Sequence, residues 1–118
     1  MFLAKLTFVG HSLGGIIVRE ALKHLSAFRN KMHAYISLGS PHLGYMYNSS
    51  SLVDAGMWLI KKWKKSDSLK QLSMTDMSRR EDSYLYKLSE DDNLKYFKYV
   101  MLVSSFQDNY APHDSARI

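Results

Sequence analysis

The chain has 118 residues, 46% hydrophobic and 23% charged, with a net charge of +5 at pH 7 and no cysteine. That length and composition suit one small globular domain rather than a disordered or fibrous chain. The missing cysteines exclude a disulfide framework, a thiolate metal site and a cysteine nucleophile. The longest apolar runs fall far short of the roughly 20 residues that a bilayer-spanning helix needs. Lys5 also interrupts the stretch where a signal peptide would be apolar. A cytoplasmic protein is therefore expected, and no residue pattern asks for a cofactor or a metal.

Lys5-Leu6-Thr7-Phe8-Val9 is a short β-prone run ending at Gly10, after which Leu13, Ile16, Ile17, Ala21 and Leu25 recur at helical spacing. His33 to Leu38 forms a second strand-like run, closed by the turn-rich Gly39-Ser40-Pro41-His42-Leu43-Gly44. Strand, helix and strand within about forty residues make a βαβ unit, whose strands pair in parallel through a right-handed crossover. From Tyr45 to about Lys95 the character turns helical, with an amphipathic stretch over 52–65 and shorter helices near 68–74 and 83–88. A third strand is predicted over 96–104, apolar enough toward its end to be covered on both faces. A polar loop follows it.

The fold class is thus α/β, with three parallel strands, flanking helices and a helical, cap-like insertion. The division reads as one domain over 1–118, its core being 1–44 with 96–118 and its insertion 45–95. The first strand, nearly all apolar from Leu6 to Val9, reads as a central strand with neighbours on both sides. Three strands alone would then be only part of a larger sheet.

Gly10-His11-Ser12-Leu13-Gly14 matches the pattern Gly-x-Ser-x-Gly. The pattern is weak in isolation and gains force from its place between an apolar β run and an amphipathic helix. There a strained turn lifts the serine hydroxyl off the end of the sheet. Gly10 and Gly14, with Gly15 beyond them, are expected to let strand and helix approach closely. A serine hydroxyl attacks only when a base takes its proton, and the resulting oxyanion needs donors already in place. Ser12 is the candidate nucleophile and the backbone N–H of Leu13 one oxyanion donor. The competing reading is a glycine-rich turn with an idle serine.

In open α/β sheets catalytic groups collect at the carboxyl edge of the strands, which points to Asp108, just past the third strand, as the acid. Asp91 and Asp92 precede a strand and Asp114 lies further into the tail. In this chain order the base follows the acid, and only His113 does so. It lies too near Asp108 to be oriented by it and also reach Ser12. His11, His24 and His33 read as structural, and His42 as a residue near the pocket that breaks the order. The four lysines Lys61, Lys62, Lys64 and Lys65, interleaved with Trp58 and Trp63, suit a solvated helix face or a peripheral contact with a membrane. No motif for binding nucleic acid accompanies them.

With these pieces the sequence resembles the lipase-like serine esterases of the α/β-hydrolase superfamily, and within them most nearly the C-terminal esterase-like domain of a large group of eukaryotic proteins. The residues that carry the likeness are Phe8-Val9-Gly10-His11-Ser12-Leu13-Gly14-Gly15, Ser40-Pro41-His42-Leu43-Gly44, Tyr47-Asn48-Ser49-Ser50, Lys61-Lys62-Trp63-Lys64-Lys65-Ser66, Gln107-Asp108-Asn109-Tyr110-Ala111-Pro112 and Ser115-Ala116-Arg117-Ile118. The resemblance implies a partial α/β-hydrolase fold, Ser12 and Asp108 as two members of a Ser-Asp-His triad, and an ester or lipid as substrate. It also implies a histidine from a segment after a further strand, so these 118 residues read as a fragment or shortened product with little activity alone. The alternative is a catalytically inactive hydrolase-like module that binds or scaffolds.

Overall fold

A computed structural model describes residues 2–44, 67–74, 76–108 and 110–117. The expected helix over 52–65, with its Trp58 and lysine patch, lies outside the described residues. Strand β1 spans Leu6–His11, helix α1 Leu13–Leu22 and strand β2 Met32–Leu38, with a 3-10 turn over Ser26–Lys31 leading into β2. Helices α2 (Asp67–Leu72) and α3 (Tyr84–Ser89) precede a 3-10 turn at Asn93–Tyr96 and strand β3 (Tyr99–Val103). These match the predicted elements in order and kind. The third strand is shorter than expected because Tyr96 ends the 3-10 turn and Phe97 and Lys98 connect it to the ladder.

The three strands form one parallel sheet in the order β1-β2-β3. Register decides which side chains share a face, since successive residues of a strand alternate. Phe8, Tyr35 and Val100 share one row, as do Gly10, Ser37 and Leu102, and Phe8, Tyr35 and Leu102 pack in the core with Leu22 of α1. Val9, Ile36 and Met101 form a row on the opposite face, beside His11, Leu38 and Val103.

Parallel strands joined in this order call for right-handed crossovers, which put their helices on one face. That face holds the core. Leu22, Met32, Tyr35 and Phe97 pack beneath α1, with Phe97 edge-on to Phe8 at 6.0 Å between ring centroids. A second cluster, Ile16, Leu72, Leu85 and Leu88, joins α1 to α2 and α3. Arg19, buried in α1, donates from Nη2 to the Leu88 carbonyl at 2.8 Å, meeting the orphan acceptors at the end of α3. Tyr84, at the other end of α3, donates its hydroxyl to Glu20 at 3.1 Å. The part of the 45–95 segment that the structure describes is thus clamped to α1 at both ends of α3.

Among the described residues β1 pairs with β2 alone, and β2 lies between β1 and β3. One expectation is corrected: among the described residues β3 is not covered on both faces, since Tyr99, Val100, Met101 and Val103 are all exposed, and Val9 on β1 is 60% exposed. Tyr99, Met101 and Val103 share one face, and Val100 is exposed in the row of Phe8 and Tyr35. The apolar run that signals double burial therefore lies open among the described residues.

Candidate active site

The end of β1 turns sharply into α1 at Ser12, whose backbone takes φ 54°, ψ −127°. A positive φ is uncommon for a side-chain-bearing residue and persists only where the surroundings impose it. They do so from both sides. The Ser12 N–H donates to the Leu38 carbonyl at 2.9 Å, tying the turn to the end of β2. Gly10 faces the helix so closely that a Cβ there would lie 2.5 Å from the Gly15 Cα and N. A Cβ on Gly15 would in turn overlap Ser40 and come within 2.9 Å of the Ser37 Oγ.

Gly14 behaves differently from expectation. A Cβ there would meet nothing within 4 Å, so Gly10 and Gly15, not Gly14, make the close approach. Among the described residues the Ser12 hydroxyl has no hydrogen bond, and no acceptor takes the Leu13 N–H. An N–H at a helix start that no described residue accepts is a donor suited to a ligand oxygen.

Asp108 lies at the same edge. The Gly39 N–H donates to the Val103 carbonyl at 2.8 Å, so the ends of β1, β2 and β3 are tied in a row. Asp108 follows β3 and rests against Gly39: a Cβ at Gly39 would stand 2.8 Å from its Oδ2, and Gly39 itself has φ 55°. The other carboxylate oxygen, Oδ1, accepts the N–H groups of Tyr110 at 2.8 Å and Ala111 at 3.0 Å. Ser12 thus follows β1 and Asp108 follows β3, with the Asp108 carboxylate resting against Gly39 at the end of the strand between them. Among the described residues no hydrogen bond joins Ser12 to Asp108.

All five histidines are described. His113 stacks on Phe106 with centroids 3.7 Å apart and pairs its Nδ1 with Asp114 at 3.3 Å. His33 lies edge-on to Tyr99. His42 is 1% exposed and bonds Ser37. None of the five hydrogen-bonds Ser12 or Asp108.

The family described as "Putative serine esterase (DUF676)" matches residues 3–118. The chain belongs to that family. Membership places it among esterase-like hydrolases and accords with the three parallel strands and their flanking helices. No solved structure matches the chain significantly. Among the described residues no helix is long and apolar enough to cross a membrane.

Two features of this esterase-family site were not visible in the sequence reading. The first is an apolar cavity of about 250 Å³ beside the elbow, lined by Leu13, Ile16, Ile17, Leu72, Tyr84 and Leu85 among others. Leu13 belongs both to the cavity and to the first turn of α1. The second is a buried polar cluster under that turn. Tyr35 donates its hydroxyl to the Gly15 carbonyl at 2.8 Å, and the Ser37 Oγ lies 2.8 Å from the His42 Nε2. Burial, reinforced by the positive charge of Arg19, pushes the His42 pKa down to about 4, so its imidazole is neutral near pH 7. The available signal was Ser37 interrupting an apolar strand, with a histidine five residues on.

Proposed function

We propose that the protein is a serine esterase of lipase-like type in which Ser12 is the nucleophile, Asp108 the acid of a Ser-Asp-His triad, and the Leu13 N–H an oxyanion donor. The observation that carries this reading is the backbone of Ser12. A turn at φ 54° that served only structure would be relieved by glycine, and holding a serine there costs on the order of 1–3 kcal/mol. That cost is offset by function if the strain presents the hydroxyl beyond the sheet edge.

In the proposed reaction Ser12 Oγ attacks an ester carbonyl, its proton passes to the base, and the carbonyl oxygen becomes an oxyanion facing the Leu13 N–H. Collapse of that intermediate expels the alcohol, which takes up the proton. Water then releases the acid from the acyl-enzyme by the same steps. The apolar cavity that Leu13 lines with Ile16, Ile17, Leu72 and Leu85 supports an apolar acyl group. In this reading an imidazole bridges Ser12 and Asp108, and none of the five histidines present hydrogen-bonds either residue. The base is a histidine outside these 118 residues, and the chain alone is a nearly idle esterase.

In the proposed division, 1–44 and 96–118 are the core of one domain and 45–95 its cap-like insertion. A peripheral membrane contact through Trp58, Lys61, Lys62, Trp63, Lys64 and Lys65 would bring this site to a lipid substrate. Hydrolysis of p-nitrophenyl esters by the 118-residue chain is expected near the uncatalysed rate, and unchanged in Ser12→Ala. Robust turnover lost in Ser12→Ala would instead put the base among the histidines present, His113 first.

A further inference from the structure

Two cavities touch α3, and Leu85, the second residue of that helix, lines both. The first, of about 250 Å³, is the apolar one that Leu13, Ile16 and Ile17 of α1 share with Leu72. No charged side chain lines it among the described residues. Tyr84 enters it as a neutral phenol, since burial, reinforced by Glu20, pushes its pKa up to about 12. The second, of about 230 Å³, has Leu43, Met74 and the cationic Arg80 in its lining. Among the described residues Leu85 is the one side chain common to the two. It is 3% exposed and packs with Ile16, Leu72 and Leu88. The main chain of Gly44, next to Leu43, rests on it as well: a Cβ on Gly44 would stand 3.0 Å from the Leu85 Cδ1, and closer still to the Leu72 carbonyl oxygen.

This contact is a wall rather than a swinging door. Tyr84, immediately before Leu85, donates its N–H to Asp76 Oδ2 at 2.9 Å and its hydroxyl to Glu20, while Arg19 holds the Leu88 carbonyl. We propose that Leu85 is the end wall of the acyl subsite, so that the protein acts on esters of short and medium straight-chain acids. A methylene fills about the volume of a water molecule, about 30 Å³, so the first cavity takes a tail of roughly eight carbons. Each methylene buried up to that point tightens binding about fourfold. A longer tail leaves its remaining carbons in water, on the side of Ile17, which is 59% exposed. Removing the Leu85 side chain joins the two cavities and roughly doubles the space for a tail. The substrate class rests on Ser12 being the nucleophile; the wall does not.

The test uses the full chain and the straight-chain alcohols from butanol to dodecanol, neutral probes that form no ion pair with Arg80. Their affinity, read by calorimetry, is expected to rise about fourfold per methylene and to level off near octanol. In Leu85→Ala it is expected to keep rising, so that dodecanol binds on the order of a hundredfold more tightly than octanol. A parent whose affinity climbs through dodecanol, or a folded Leu85→Ala that levels off where the parent does, overturns the wall. If Leu85→Ala does not fold, the parent decides the matter. Methyl spectra of the leucine-labelled protein, assigned with the volume-conserving Leu85→Met, are expected to show the terminal methyl of octanol against Leu85. No contact with Leu85, or contact with Leu43 beyond it, overturns the wall.

The second readout is labelling of Ser12 by alkyl fluorophosphonates of the same lengths, with imidazole supplied as base. The half-saturating probe concentration is expected to fall with chain length as far as octyl and then stay level, and to keep falling in Leu85→Ala. Octanol is expected to compete with the octyl probe. Labelling that ignores both chain length and octanol, in a protein whose alcohol affinities follow the expected pattern, overturns the acyl subsite and with it the substrate class. Failure of the parent to label with any probe overturns the reading of Ser12, while the alcohol affinities and the spectra still decide the wall.

Discussion

Ser12 and Asp108 stand at the same edge of the sheet, two strands apart, and are held in opposite ways. Ser12 is fixed by distant chain. Its strained turn depends on Gly10 against Gly15, on the Leu38 carbonyl and on the floor made by Ser37 and Ser40. Asp108 is held by its own loop, through the N–H groups two and three residues on, and rests against Gly39 after β2. The geometry of Ser12 is thus a tertiary property that small changes far along the chain can spoil. The geometry of Asp108 is largely local and should survive substitutions that keep an acceptor oxygen.

The largest expected effect breaks the first arrangement. Gly10→Ala would put a methyl 2.5 Å from backbone atoms of Gly15, which cannot rotate away. It is expected to cost about 3 kcal/mol or more in denaturant unfolding. Next comes pH. The folded state holds His42 neutral down to about 4, whereas an unfolded histidine takes up a proton near 6.5. Between those values the unfolded chain binds more protons, so stability falls as pH drops from 6.5 to 4 and levels off below. The loss approaches roughly 3 kcal/mol, and His42→Gln is expected to remove it from the pH profile of the unfolding midpoint.

The second arrangement predicts a dissociation of fold from chemistry. Asp108→Asn keeps an oxygen for Tyr110 and Ala111, so its stability is expected to stay within about 1 kcal/mol of the parent. Its imidazole-assisted labelling of Ser12 should still drop, because a neutral amide does not stabilise an imidazolium. Gly14→Ala should do least harm. It adds a methyl to empty space inside a helix and is expected to stabilise by about 0.5–1 kcal/mol in the same unfolding measurement. Equal damage from Gly14→Ala and Gly10→Ala would mean that the elbow is not built as described.

The sequence made the elbow legible because a β run, a small-residue turn and a 3.6-residue period meet at Ser12. Asp108 was legible for a similar reason, as the first carboxylate after an apolar strand. Which glycine makes the close contact was not legible, since that depends on how α1 crosses β1 and not on spacing. The burial of β3 was misjudged because an apolar run reports what a strand can tolerate, not what the described residues place over it. The Tyr35, Ser37 and His42 cluster was missed because a buried polar partner across a loop leaves no periodic trace. His42 read as a residue near the pocket; it lines a cavity with Leu43, Met74 and Leu85 and is held against Ser37 and Tyr35.

The most direct test of the central claim is fluorophosphonate labelling of the 118-residue chain with and without added imidazole, mapped to the modified residue and controlled by Ser12→Ala. Such probes report an activated serine whatever the substrate. The account predicts slow labelling of Ser12 alone, marked acceleration by imidazole bridging Ser12 and Asp108, and none in Ser12→Ala. Ser12 that stays unlabelled at every imidazole concentration, in a chain shown to be folded, would contradict it and leave the elbow a structural turn.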